Sequence, residues 1–259
     1  MNNRPKSAAQ DTRFIILATP RTGSTWLVDQ LHKPPESVCY SEMFLPGAGK
    51  DFPTAAGARD VMLWASYLRE RGVAAHRSPT ELRRYLKQLY SQEEPVKSVG
   101  VKVMYRDVRT NPILLPLLRT MGSRVVHLRR ANLLDVAISQ AARADGQNIA
   151  HIRANSGEHF QAPVCLDSSS LLEFLDRLEQ RSQQMGRLLK TFRFQTAEVN
   201  YEDLVAGNSW DAISKLLGVS LTIRSSSLSK LSSGERRDRV SNWEEVVGVL
   251  SGTTHEKFL

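Results

Sequence analysis

Phe14-Ile15-Ile16-Leu17-Ala18-Thr19-Pro20-Arg21-Thr22-Gly23-Ser24-Thr25-Trp26-Leu27 is the stretch that decides the fold. Its first five residues are apolar with neighbouring isoleucines, which suits a strand buried on both faces. Pro20 and Gly23 break that strand, and the hydroxyl residues after them open a segment of helical character from Trp26 to Leu31. A strand, a tight loop and a helix N-terminus together make an anion site. The first-turn N–H groups lack partners and the helix dipole favours negative charge there. Arg21 adds a planar guanidinium matched to phosphate oxygens, and Thr22, Ser24 and Thr25 add hydroxyl donors. The segment is not a Walker A loop, because no lysine follows Gly23 and no glycine stands at the required distance upstream. The competing reading is an ordinary strand-to-helix turn with an exposed arginine.

A second stretch repeats the pattern. Arg124-Val125-Val126-His127-Leu128-Arg129-Arg130-Ala131-Asn132-Leu133-Leu134-Asp135-Val136-Ala137-Ile138-Ser139 reads as strand, basic turn and helix. Val125 to Leu128 is the strand, and Asn132 is an N-cap with Asp135 at the third helical position. Ser139 lies one turn beyond Asp135 on the same helix face. Two arginines at a strand end and a serine further along the helix offer a second anion site. The alternative is a capped helix with Arg129 and Arg130 in solvent.

Taken together, the two stretches resemble the cofactor signatures of the sulfotransferase family, whose donor is PAPS (3′-phosphoadenosine 5′-phosphosulfate). Thr19 to Leu27 looks like the family's 5′-phosphosulfate loop, and Arg130 to Ser139 like its 3′-phosphate motif, R-N-P-x-D-x-x-x-S. Asn132, Asp135 and Ser139 keep the motif's spacing, but Ala131 intervenes and moves the arginine one residue early. Arg129 and Arg130 therefore both stand as candidates for the phosphate contact. The Leu-Arg-Arg-Ala-Asn-Leu-Leu form is closest to the bacterial carbohydrate branch, the trehalose and nodulation-factor type.

The resemblance implies an α/β fold of the P-loop-NTPase-like kind, a three-layer sandwich with a central parallel sheet flanked by helices. It implies sulfonate transfer from PAPS, with PAP as product and no metal, to a hydroxyl or amine of a small-molecule acceptor such as a carbohydrate or specialised metabolite. Donor contacts fall to Arg21, Thr22, Gly23, Ser24, Thr25, Trp26, Arg129, Arg130 and Ser139. The family's basic C-terminal loop adds Arg236, Arg237 and Arg239. Glu42 stands in a Glu-aromatic setting similar to that of the branch's catalytic base, with Arg21 as its catalytic partner on the leaving group. Lys102, in Gly-Val-Lys-Val-Met, interrupts an apolar strand, so it is either a sulfonate contact or half of an inner ion pair. His151 and His159 lie in a long stretch without periodicity and are candidates for acceptor binding. Two readings of other kinds compete: a nucleotide-binding module without transfer activity, and a P-loop-like kinase.

Composition narrows the field. Apolar residues at 41% and charged residues at 24% belong to a globular chain with a core. The net charge of +8 points to anionic partners, yet the basic residues are dispersed and aromatics reach only 7%, so no stacking platform for nucleic acid is expected. Two cysteines make no disulfide framework, no apolar leader opens the chain and no run is long enough to span a bilayer, so a cytoplasmic protein off the membrane is expected. Residues 1–12 read as a flexible tail and 13–259 as a single domain. Helices are expected over Ala58–Arg71, from Ser78 to Tyr90 behind a capping box, briefly within Asn111–Thr120, from Asn132 to about Ala144, and over Ser168–Phe192. Two more are expected from Asn208 to Gly218 and after a capping box at Ser241–Glu244. Strands are expected at Val96–Tyr105 and Thr196–Tyr201.

Overall fold

The run Phe14–Ala18 is fully buried, and its alternate residues face opposite ways. Ile15 and Leu17 join one apolar cluster, while Phe14, Ile16 and Ala18 join another. A strand covered on both faces needs a helical layer on each side, and the computed structural model supplies both. It describes residues 12–45, 60–72, 78–92, 95–146, 162–223 and 235–259. In chain order the elements are β1 (Thr12–Ala18), α1 (Ser24–Leu31), β2 (Ser37–Glu42), α2 (Trp64–Glu70), α3 (Pro79–Tyr90), β3 (Ser98–Met104), α4 (Tyr105–Thr110) and α5 (Leu114–Thr120). There follow β4 (Arg124–Arg129), α6 (Leu133–Ala144), α7 (Ser168–Thr191), β5 (Thr196–Asn200), α8 (Tyr201–Val205), α9 (Trp210–Leu217), α10 (Arg236–Arg239), α11 (Trp243–Leu250) and a 3-10 turn, Glu256–Phe258.

The five strands form one all-parallel sheet in the order β2-β3-β1-β4-β5. One face carries α2, α3, α4, α5 and the end of α7, and the other carries α1, α8 and α9. A third cluster joins α6, α7, α11 and the C-terminal residues beside the sheet. The chain is thus an α/β sandwich of three layers, as expected. β1 sits at the centre, with α1 leaving to one face and the segments after β3 to the other. In open parallel sheets the crevice beyond such a reversal is where ligands bind. Among the described residues no helix is long and apolar enough to cross a membrane.

Local chemistry explains several helix starts. Ser78 accepts a hydrogen bond from Glu81 N (3.3 Å) with Pro79 at the first helical position, and Asn132 accepts from Leu134 N (3.0 Å) and Asp135 N (3.3 Å). Three ends differ from expectation. The helix expected over Ala58–Arg71 begins only at Trp64, because Trp64 N donates to Met43 O (2.9 Å) and holds Val61 to Leu63 as a buried non-helical segment. Helix α9 starts from Ser209 in a left-handed conformation (φ 64°), not from Asn208, whose N–H is spent on Asp203 O (2.8 Å). The box expected at Ser241–Glu244 does not close. Asn242 turns its amide to both backbone groups of Leu166, at 3.0 and 2.8 Å. Helix α4 was not anticipated; the Asp107 carboxylate caps it by accepting from Met104 N (2.9 Å). Residues 1–11, and His151 and His159, lie outside the described residues.

Gly100 pairs with Phe14 in the β1–β3 register, and the Phe14 ring lies over it, so an added Cβ would fall 2.2 Å from ring carbons. Gly100→Ala is expected to cost about 1–3 kcal/mol through overpacking, read as a lower urea midpoint at unchanged slope.

Candidate functional site

The phosphate-loop candidates gather beyond the carboxyl end of β1. Arg21 (φ 68°) and Gly23 (φ 77°) are both left-handed. For a non-glycine residue that conformation costs roughly 1–2 kcal/mol, and here two bonds hold it. Thr22 Oγ1 donates to Thr19 O (2.8 Å), and Arg21 Nε donates to Ser139 Oγ (2.7 Å). At Gly23 a side chain is excluded, since a Cβ would lie 2.1 Å from the Tyr201 ring. Gly23 is also the N-cap of α1 and supplies no side-chain cap. Among the described residues no side chain caps the first-turn N–H groups of this eight-residue helix, whereas two of those of α6 are spent on Asn132. Trp26 braces the turn, packing edge-on against Tyr201 (5.5 Å) and Trp210 (6.0 Å).

Arg21 is half-buried, and no carboxylate pairs with it among the described residues. Burial, with Arg143 nearby, lowers its pKa from the ordinary guanidinium value. A positive charge in this state is stabilised by an incoming anion, and the uncapped helix start beside it has the matching polarity.

Two strands away, a β-bulge builds a second group. Tyr40 pairs with Val101, but the next pair is Glu42 with Lys102, so β2 spends one extra residue. That residue turns Glu42 onto the face where Lys102 stands, the α1 side of the sheet. Lys102 Nζ lies 2.9 Å from Glu42 Oε1 and donates to Thr25 Oγ1 at 3.0 Å. The Lys102 side chain is 2% exposed and that of Glu42 is 23% exposed. Lys102 is therefore the inner half of an ion pair, and it links the base candidate to the phosphate loop. Nearby, burial raises the Asp107 carboxyl, and the Glu42 charge adds to the rise.

The third group centres on Asp135. Arg130 (3.1 Å), Arg236 (3.2 Å) and Arg239 (3.4 Å) all pair with it. Burial alone would raise the Asp135 carboxyl, but these guanidinium groups hold it below its usual value. Burial also lowers Arg239 from the ordinary arginine value. Arg130 further lies 2.8 Å from Glu202 Oε1 and 4.6 Å over the Tyr201 ring. Arg129, by contrast, is 40% exposed, with Glu198 3.7 Å away. Arg237 is not drawn into this group; it pairs with Glu244 on the surface (3.0 Å). Ser139 joins Arg21, not the two arginines at the end of β4.

A cavity of about 550 Å³ connects the two motifs: Thr19 and Thr22 line it from the first, and Arg129, Arg130 and Asn132 from the second. Tyr105 and Ser182 close the α7 side, and Lys257 and Phe258 the C-terminal side. Phe258 O accepts from Asn132 Nδ2 (2.9 Å), so the last residues help to seat the α6 cap. Tyr201 and Glu202, directly after β5, also belong to this site. They touch Gly23 and Arg130, and Glu202 also accepts from Ala131 N (2.9 Å). The signal for them was position alone, a polar pair directly after a core strand. No protein-family profile and no curated protein matches this sequence.

The buried Lys102 ammonium makes the pair asymmetric. Glu42→Leu is expected to cost about 3 kcal/mol, because it strands a charge in the interior, while Lys102→Met costs less than about 1 kcal/mol. The double variant should recover most of the Glu42→Leu loss, giving a coupling measurable by urea unfolding.

Beneath the cavity, Tyr105 Oη hydrogen-bonds His127 Nε2, and His127 Nδ1 is buried with no partner among the described residues. Burial pushes His127 down to about 4 and Tyr105 up to about 12. The folded His127 value lies below the ordinary 6.5, so between those values the unfolded chain takes up the proton and the folded chain does not. Stability is therefore lost as pH falls through that window, by about 3 kcal/mol in full. Urea unfolding at pH 7 and pH 4 should show this loss in the wild type and a correspondingly smaller one in His127→Gln.

Proposed function

We propose that this chain is a PAPS-dependent sulfotransferase of the bacterial carbohydrate type. It would move a sulfonate to a hydroxyl, or an amine, of a small molecule such as a carbohydrate or specialised metabolite. The observation that carries this reading is the bond from Arg21 to Ser139. It brings the two motifs that resemble the family's 5′- and 3′-phosphate signatures side by side, as a single nucleotide site would require. The residues fit a doubly phosphorylated nucleotide on physical grounds. One arginine has no carboxylate partner among the described residues, one helix start is uncapped, and around Asp135 three guanidinium groups face two carboxylates.

In this reading the donor supplies the activated sulfonate. Arg21, the first-turn N–H groups of α1 and the hydroxyls of Thr22, Ser24 and Thr25 hold the 5′ end, where negative charge grows on the leaving phosphate. One such donor contributes roughly 3 kcal/mol to lowering a barrier. Arg129 or Arg130, with Arg236 and Arg239, serves the 3′-phosphate. Arg129 is the freer to do so, since both contacts of Arg130 are already taken. Glu42, oriented by Lys102 and partly open to solvent, accepts the proton of the acceptor hydroxyl. Cys39 and Cys165 are both free thiols, which suits a cytoplasmic setting.

Calorimetry with PAP and a labelled-sulfonate transfer assay test the reading together. Arg21→Met is expected to abolish both signals. Glu42→Gln should keep PAP binding and lose about 10²–10⁴ in kcat, while Ser139→Ala raises the donor KM. Heat from PAP without labelled product for any acceptor class would favour a binding module, and turnover that requires ATP would favour a kinase.

A further inference from the structure

A second cavity, of about 560 Å³, opens at the opposite end of the sheet, where β1 begins and where α3 and α5 end. The seven residues of β1 separate it from Arg21, a span of about 20 Å at the usual rise of a strand. Three cations line it, Arg13, Arg83 and Lys87, and no carboxylate does so among the described residues.

These charges are arranged at a cost to the fold. Arg83 and Lys87 stand one turn apart on α3, a like-charged spacing that destabilises a helix. Their neighbour Arg84 is instead paired with Glu81. Arg13 is held in place from two sides: its Nη1 donates to Met121 O (3.3 Å), and its guanidinium lies 5.9 Å over the Tyr90 ring. Tyr90 is itself fixed by donating to Phe14 O (3.2 Å). Helix dipoles account for part of the positive charge, since α3 and α5 each present a C-terminus of about half a negative charge. That leaves roughly two positive charges facing a space much larger than one phosphate.

We propose that this cavity binds a small polyanion carrying two or more phosphate or sulfate groups, at a site separate from Arg21. The inference does not depend on the donor assignment.

Calorimetry with inorganic pyrophosphate in low-salt buffer tests it. Binding is expected in the wild type and in R21M, and should weaken about tenfold or more in R83M/K87M. Both residues changed in that variant are exposed, and PAP binding should stay as it was. Heat that survives R83M/K87M but vanishes in R21M would assign the ion to the phosphate loop and overturn the proposal. Equal loss in both variants, or no heat in the wild type, would do the same. Glu93 and Glu94 follow Gln92 outside the described residues. Heat seen only in E93Q/E94Q would mean the cavity serves the chain's own carboxylates, which also overturns it.

Discussion

The hydrogen bond from Arg21 to Ser139 ties together residues 118 positions apart, and the arrangement of the candidate site depends on it. The pairing of β1 with β4 makes it possible, because Arg21 lies in the loop after β1 and Ser139 on α6, the helix that follows β4. It also needs Asn132 to start α6 at the right residue, which fixes Ser139 in the second turn. The left-handed backbone of Arg21 is part of the same constraint, since this conformation aims the guanidinium across to α6 while Gly23 carries the chain into α1. Strain at one residue, a helix start without a side-chain cap and a cation with no carboxylate partner among the described residues converge at one strand end. Concentrations of this kind mark functional sites more often than structural ones.

Much of the architecture was legible because it is local. The apolar run of β1, the Ser78 and Asn132 caps and the length of α7 each follow from neighbours in sequence, and the sheet follows from strands buried on both faces. Legibility failed where a distant partner took a group that local rules had assigned. Asn242 was claimed by Leu166, and Trp64 N by Met43. The site shows the same division. Arg21, the loop hydroxyls, Arg129, Arg130 and Ser139 could be named from residue type and spacing, and Glu42 and the C-terminal arginines only from the family resemblance, but none of their pairings could. Ser139 met Arg21, Arg130 was neutralised by Asp135 and Glu202, and Arg237 turned to Glu244.

Lys102 shows why pairing information is absent from spacing. On an unbroken β2 register, Ser41 would face Lys102 and Glu42 would point to the other side of the sheet. One extra residue reverses this and turns a buried lysine from a liability into a bridge between the second strand and the first helix. A bulge at a strand end is a backbone event with weak side-chain preferences, and nothing in Ser41-Glu42-Met43 announces it. The chemistry of the proposed base therefore rests on backbone geometry as much as on residue identity.

The strand order has a further consequence for how the chain is made. β1 leaves the ribosome first among the strands, yet both of its neighbours, β3 and β4, lie between residues 98 and 129. Until residues 98–104 have been made, Phe14-Ile15-Ile16-Leu17 has no pairing partner on either edge, and it is among the most water-averse runs in the chain. A nascent chain in that state is a ready template for cross-chain association. Slow synthesis before residue 98 would lengthen that exposure, and a chaperone holding the chain until residues 98–129 emerge would shorten it.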